Sequence, residues 1–368
     1  MGTFGFRFRT VELSYPRQIE RYLMSVLYLL TSSEPIIEGT DATFQEVSAL
    51  AAAFDGDTIN LCPRRIPGRP FPPQLFGFHK LRQIRKLERR CEITHVFHSI
   101  PYPFPVLRFS RNPIVYTVLT SLRHLTKPPS VKWLAGLHRI VVSNARDAGI
   151  LKSWGLSNSA VVPPAIDISR LTQSVLPLQD KMTLLMASAP WVEDQFDLKG
   201  IDALLDAIAT LPKLRLILLW RGLLLKELVD RVERRGITGK VDIITERVAI
   251  DNYLRQAHAA VLPAKRSDIV KAYPHSLLES LIAGKPVILS ESLPMADFVR
   301  NHKCGIVLAE VTEQSLIEAI QSLRKRYDEF AQQARLIDAR TFSQQAMIEN
   351  YRELYTLAPR SASAGHSQ

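Results

Sequence analysis

The residues with the clearest chemical potential fall in one stretch, Val261–Val299, which reads VLPAKRSDIVKAYPHSLLESLIAGKPVILSESLPMADFV. A buried strand, His258–Leu262, runs into a polar loop. A helix over Pro274–Ala283 follows and carries one acid, Glu279. Gly284-Lys285-Pro286 then breaks the helix, and Val287-Ile288-Leu289 forms a second short apolar strand. Open α/β folds hold ligands at the carboxyl ends of strands and at the helix starts that follow them, where unpaired backbone N–H groups attract anions. The loop 263–275 therefore has the position of a binding site. A second candidate lies near the front of the chain, where Gly39-Thr40 immediately precedes a helix. Such a turn either presents backbone N–H groups to a ligand or is a simple reversal.

The elements that must position these residues are legible as alternating apolar strands and amphipathic helices. In the front half the strands are Ser25–Thr31, Thr58–Leu61, Thr94–His98, Pro113–Leu119, Arg139–Ser143 and Ala160–Val162, with helices over Thr43–Phe54, Phe78–Cys91 and Asn144–Trp154. Ile168–Asp180 has weak periodicity and reads as a linker. A second alternation starts at Met182–Ala187. Helix Ile201–Thr210, strand Leu214–Leu219, helix Leu224–Arg235, strand Val241–Ile244, helix Ile250–Ala257 and the opening stretch follow in turn. Strand Gly305–Leu308, helices 312–325 and 326–338, and an amphipathic helix Ser343–Leu357 complete it. Repeated strand–helix alternation predicts parallel sheets covered on both faces. The fold class expected is α/β, with two doubly wound Rossmann-like domains facing a cleft. The expected division is 1–167, 168–342, a helix at 343–357 crossing back to the first domain, and a disordered tail at 358–368.

Length and composition agree: 368 residues exceed one ordinary core, and 46% apolar and 23% charged residues suit a water-soluble chain. No apolar run reaches the ~20 residues of a membrane-spanning helix. The net charge of +11 is one-sided, with 21 Lys+Arg against 11 Asp+Glu in residues 1–165 and near balance afterwards. Much of that excess lies on Phe78–Cys91, FHKLRQIRKLERRC, whose apolar residues form one narrow stripe. A basic half suits an anionic partner such as lipid headgroups or a phosphorylated substrate. Nucleic acid is disfavoured because the cations are not interleaved with stacking aromatics. Three cysteines without metal spacing fit a reducing cytoplasm. No GxGxxG or GxxxxGK[ST] supports an NAD enzyme or an ATPase.

Several segments, taken in order, resemble the GT-B-fold retaining glycosyltransferases known as glycosyl transferases group 1. They are FDLKGIDALLDAI (196–208), ITERVAIDNYLRQAHAAVLPA (244–264) and YPHSLLESLIAGKPVILS (273–290), with front-half echoes at 38–54, 138–155 and 161–167. The resemblance implies transfer of a sugar from a nucleotide-diphosphate sugar, bound mainly by the second domain, to an acceptor on the first. Anomeric configuration would be retained, with no cofactor and no metal, and cations and helix N-termini would neutralise the departing diphosphate.

The same resemblance assigns roles. Glu279 matches the second acid of the family's E-x7-E motif and would hold the ribose hydroxyls. Lys199 matches the phosphate-binding lysine. The first acid of the motif falls on Lys271, which reverses the charge beside the sugar, and Asp268 is the nearby carboxylate that could substitute. The family's arginine is replaced within Ser188-Ala189-Pro190-Trp191, which leaves Arg221 as the candidate second cation. Ser276, Leu277 and the backbone around them would face the sugar or phosphate, and Val248 would flank the base. His98, ending THVFH, is the candidate for the histidine near the reacting centre, with Gly39 and Thr40 on the acceptor side. The acceptor is a glycan, a lipid-linked molecule or a small molecule, and attachment to the cytoplasmic face of an anionic membrane would suit a lipid-linked one. The alternative is a catalytically weak or silent GT-B scaffold that binds a nucleotide or glycan, or serves as a partner subunit.

Overall fold

Runs such as Val-Leu-Tyr-Leu-Leu are buried at every position, which requires packing on both faces and so favours the interior of a parallel sheet. The computed structural model describes residues 24–32, 41–63, 72–174, 176–220 and 224–356. It contains two six-stranded sheets, and every strand pairing within them is parallel. The first comprises β1 (Val26–Leu30), β2 (Asp57–Asn60), β3 (Ile93–His98), β4 (Ile114–Val118), β5 (Arg139–Val142) and β6 (Ser159–Val161), in the order β2-β1-β3-β4-β5-β6. The second comprises β7 (Met182–Met186), β8 (Leu214–Leu219), β9 (Val241–Ile244), β10 (Ala259–Leu262), β11 (Val287–Ser290) and β12 (Gly305–Leu308), in the order β12-β11-β10-β7-β8-β9. Each sheet reverses its winding once, between β1 and β3 and between β7 and β10. Those switch points are where doubly wound sheets leave a crevice at the strand ends.

The chain passes between the sheets twice. Outbound it follows Asp167–Leu171, and it returns at Ser343, where Ile166 and Ser343 form a parallel bridge and Ile166 N–H donates to Phe342 O at 2.9 Å. The C-terminal helix Gln344–Thr356 then lies on the first sheet. Its Met347, Tyr351 and Tyr355 are buried with Tyr28, Phe54 and Phe97. Hydrogen bonds run from Tyr355 Oη to His95 Nδ1 (2.5 Å), from His95 Nε2 to Thr117 Oγ1 (2.7 Å), and from there to Tyr351 Oη (2.9 Å). This helix thereby anchors the second half to the first.

Two helices depart from the sequence expectation. Met295–His302 is helical, although the run after β11 carries no long apolar period; it buries Met295, Ala296 and Val299 and ends at Lys303, whose φ is +51°. A single helical turn, Gln195–Leu198, interrupts the expected loop before Lys199. The basic segment begins as a tight turn, Phe78–Lys80, before the helix Leu81–Glu88. Among the described residues no helix is long and apolar enough to cross a membrane. The lead-in before Met24 and the tail from Leu357 lie outside the described residues.

Candidate functional site

A cavity of about 460 Å³ opens where the two halves meet. The second half contributes the segment after β7 (Ala187, Ser188, Ala189, Trp191), Lys199, the segment Val248–Asp251 and the end of β10. Ile269, Val270, Lys271, Pro274, His275, Ser276 and Glu279 complete that side. The first half contributes Asp41, Ala42, Thr43 and Gln45, and the connection adds Asp167, Arg170 and Leu171. The cavity thus sits at the β7/β10 switch point, against the start of the helix that follows β1.

Lys199 is held by its local backbone. The helical turn Gln195–Leu198 ends on it, and Gly200 takes a left-handed φ of +70° before the helix Ile201–Thr210 begins. Lys199 is 4% exposed, and its Nζ donates to Ala189 O (2.6 Å) and Ser188 Oγ (3.2 Å). Burial lowers its pKa to about 8. Two acceptors leave the ammonium one donor direction for a ligand.

Helix His275–Ile282 starts at the cavity with Pro274 at its N-cap and no side-chain cap. Its first turn presents donors and the positive end of the helix dipole. Ser276 and Glu279, one turn apart, both line the cavity. Leu277 does not: it is 1% exposed and belongs to the second half's core. Residues on opposite sides of a helix cannot share one wall, so the expectation for the Leu277 side chain is corrected.

Lys271 neither points to solvent nor stands alone. Its Nζ donates to Glu46 Oε2 at 2.9 Å, while His275 Nε2 lies 2.7 Å from Glu46 Oε1. Glu46 comes from helix Ala42–Ala53 in the first half and is 4% exposed. Burial alone would raise its pKa, but the Lys271 and His275 charges and hydrogen bonds outweigh it and hold the carboxyl at about 2. The carboxylate is thus ionised, so it can only accept, and His275 Nε2–H must be the donor. Burial, and next the Lys271 charge, lower the pKa of His275. His275 Nδ1 is itself buried and has no hydrogen-bond partner among the described residues. Sequence reading missed Glu46, although a signal exists. Thr43, Glu46, Val47 and Leu50 repeat at helical spacing on the buried face, so the acid occupies a core position.

Asp268 does not take the place of the missing acid. It forms a two-pronged pair with Arg266 (2.9 and 2.5 Å) and is not part of the cavity wall. His98 is also elsewhere. It packs among Tyr102 and Phe104, its Nδ1 lies 2.5 Å from Thr31 Oγ1, and burial lowers its pKa to about 4. It too is absent from the cavity wall, because the strand end it occupies is covered by the aromatic loop. Val248 lines the cavity. Gly39, Thr40 and Arg221 lie outside the described residues, though Asp41, next to Thr40, is at the wall. Among the described residues no cluster of His, Cys, Asp and Glu is arranged to hold a metal ion.

No curated protein matches the sequence. Solved structures do match its shape. Sucrose-phosphate synthase from Thermosynechococcus elongatus superposes with a TM-score of 0.70 at 14% identity, covering 90% of this chain and 98% of that one. A glycosyltransferase from Rickettsia africae gives 0.69 at 12% identity, covering 90% and 98%. Anabaena HepE in complex with UDP-glucose gives 0.67 at 15% identity, covering 90% and 99%. Identities this low carry the fold alone, and that fold is GT-B. The sequence family of glycosyl transferases group 1 matches residues 192–340, which include Lys199, Lys271 and Glu279. Residues 192–340 thus match the glycosyl transferases group 1 family, within a chain whose fold is GT-B.

Proposed function

We propose that the protein transfers a sugar from a nucleotide-diphosphate sugar to an acceptor, with retention of configuration and without a metal. The observation that carries this reading is the placement of a buried lysine, Lys199, and a helix carboxylate, Glu279, on one cavity wall within the matched domain. Glu279 accepts from the ribose hydroxyls. Lys199 and the N-terminus of His275–Ile282 stabilise charge on the departing diphosphate, and Arg221 is the further cation. Val248 flanks the base, and Ser276 faces the phosphate or sugar. The acceptor attacks from the first-half side, the side of Gly39 and Thr40, on the face from which the diphosphate leaves. Positioning and electrostatic stabilisation carry the catalysis. A UDP-sugar is the first donor class to test, because HepE was solved with UDP-glucose.

The deciding experiment is a melting-shift screen with nucleoside diphosphates and nucleotide sugars. A ligand that binds only the folded protein must raise its melting temperature. Glu279→Ala should weaken nucleotide binding by about 10- to 100-fold, the loss expected when a charged hydrogen-bonding group is removed. No shift with any nucleotide, or an unchanged affinity in the variant, would overturn the assignment.

The reading extends to a cytoplasmic setting and an anionic membrane. Arg82, Arg85, Lys86, Arg89 and Arg90 on helix Leu81–Glu88 and its end are exposed, as are Arg108 and Arg111 beside them. None has an ion-pair partner among the described residues, whereas many cations of the second half are paired. Two exposed aromatics, Phe78 and Phe109, stand edge to face at 6.3 Å, with Arg85 5.4 Å from the Phe109 ring centre. Aromatic tips among unpaired cations suit a negatively charged bilayer surface. Each cation near such a surface is worth about 1 kcal/mol, so Arg85→Ala/Arg89→Ala should weaken binding to phosphatidylglycerol vesicles about 30-fold. Equal sedimentation with neutral vesicles, or no effect of the variant, would refute the membrane face.

A further inference from the structure

The segment after β7 carries a side chain that the donor site leaves unused. Of the large apolar side chains exposed among the described residues, Trp191 is the one that lines the cavity, and it is 44% exposed. An uncovered indole at a cleft is apolar surface that folding has not buried, and such surface suits a ligand. The backbone beneath it is fixed. Trp191 N–H donates to Gln195 Oε1 at 2.8 Å, and Gln195 opens the helical turn that ends on Lys199. Two residues before Trp191, Ala189 O accepts from Lys199 Nζ at 2.6 Å. The ring is therefore tied, from both directions along the chain, to the lysine assigned to the diphosphate.

Strand order sets it apart from the base. β7 lies between β10 and β8, and Val248 follows β9, two strands beyond β7 and about 10 Å away at ordinary strand spacing. From the other half, Asp41 and Gln45 reach the same cavity, one helical turn apart at the start of helix Ala42–Ala53. Capping that helix engages one oxygen of the Asp41 carboxylate, Oδ1, which accepts from Phe44 N–H at 2.8 Å. A carboxylate and an amide from one half and an indole from the other suit a molecule with hydroxyls at its edge and C–H groups on its face. A saccharide ring has that form.

We propose that Trp191 is a stacking platform for a saccharide acceptor, with Asp41 and Gln45 binding hydroxyls of the same molecule, so that the acceptor is a glycan or glycoside ring held between the two halves. This rests on the nucleotide-sugar reading above and adds the chemical class of the acceptor. Trp191 positions the ring and takes no part in bond making. Its contact strengthens acceptor binding and leaves attack by water on the donor untouched.

The test uses the donor found in the melting-shift screen and a panel of acceptors: methyl glycosides of glucose, galactose, mannose and N-acetylglucosamine, the disaccharides lactose and maltose, and the non-saccharides glycerol and a polyprenyl phosphate. Trp191→Ala should raise KM for the saccharide acceptor about tenfold, the loss expected for one aromatic contact. Nucleoside diphosphate affinity and donor hydrolysis by water should stay within about twofold. The melting temperature should stay within about 2 °C, because the side chain is half-exposed. Trp191→Phe should recover part of the loss. Asp41→Asn, which keeps the helix cap, should also raise KM for the saccharide. Indole emission gives a second readout: at least one saccharide of the panel should alter it in wild type and not in Trp191→Phe. Transfer to the non-saccharides alone, or no saccharide altering the emission, would overturn the inference. So would a nucleotide affinity that falls together with the saccharide's, which would give the ring to the donor. If wild type consumes no donor, the nucleotide-sugar reading fails and the acceptor role falls with it. If wild type transfers and Trp191→Ala matches it, the inference alone fails.

Discussion

Lys199→Met should lower sugar transfer by two to three orders of magnitude, about the effect of removing one preorganised donor from a site of developing negative charge. The fold should survive, because a methionine fills nearly the same buried volume and the change removes a costly buried ammonium. Lys199→Arg should not restore activity, since the 4%-exposed pocket and its two acceptors at 2.6 and 3.2 Å fit a single ammonium. The lowered pKa adds a pH signature. In the free protein Lys199 is a cation below about 8 and neutral above, while in the unfolded chain it titrates near 10.5. Between those values the unfolded chain holds a proton that the folded one lacks, so stability rises with pH through this window. Nucleotide affinity should fall through the same window, because the bound diphosphate loses its cation. Opposite pH trends in melting temperature and nucleotide affinity, both flattened in Lys199→Met, would identify this amine. Parallel trends, or transfer within a few-fold of wild type, would remove it from the site.

Gly200→Ala should be strongly destabilising. A Cβ at this position would lie 2.2 Å from the Pro263 carbonyl oxygen and 2.9 Å from Val311 Cγ1, while φ stays at +70°. The left-handed backbone costs a residue with a Cβ about 1–2 kcal/mol, and overpacking costs about 1–3 kcal/mol more. A total of about 2–5 kcal/mol corresponds to a melting temperature lowered by roughly 10 °C for a unit of this size. Gly200→Asn separates the two causes. Asparagine tolerates the left-handed region but still carries the Cβ, so it should recover little. A loss below about 1 kcal/mol would show that the turn relaxes freely and does not fix Lys199.

Strands were the most readable part of the sequence. Leu214–Leu219 and Val241–Ile244 have the limits expected, and Ala259–Leu262 starts one residue after the expected His258, because continuous apolar runs bounded by polar or glycine-containing turns leave little choice of register. Helix Ile201–Thr210 is equally clear, with Gly200 before it and an apolar face that repeats at helical spacing. Met295–His302 was missed because an eight-residue helix offers barely two turns of period. Of the site, the second-half wall was legible in Lys199, Val248, Ser276 and Glu279, all of which come together around one cavity. Residues whose surroundings depend on distant chain were not. His98 lies in an aromatic nest built by Tyr102 and Phe104, Asp268 is claimed by Arg266, and the partner of Lys271 is 225 residues away. A sequence states that Lys271 carries a charge. Only the packed structure states that Glu46 answers it.

The cavity is proposed to cleave a nucleotide-diphosphate sugar and pass its sugar on. The most direct measurement is ¹H NMR of the purified protein incubated with a panel of nucleotide sugars, in the presence and absence of glycan and lipid-linked acceptors. At least one donor should be consumed with release of the nucleoside diphosphate. The anomeric proton of the product should keep the donor's configuration, and Lys199→Met should abolish the signal. Saturable nucleotide binding with no donor consumed under any condition would contradict it and leave a GT-B scaffold that binds without transferring.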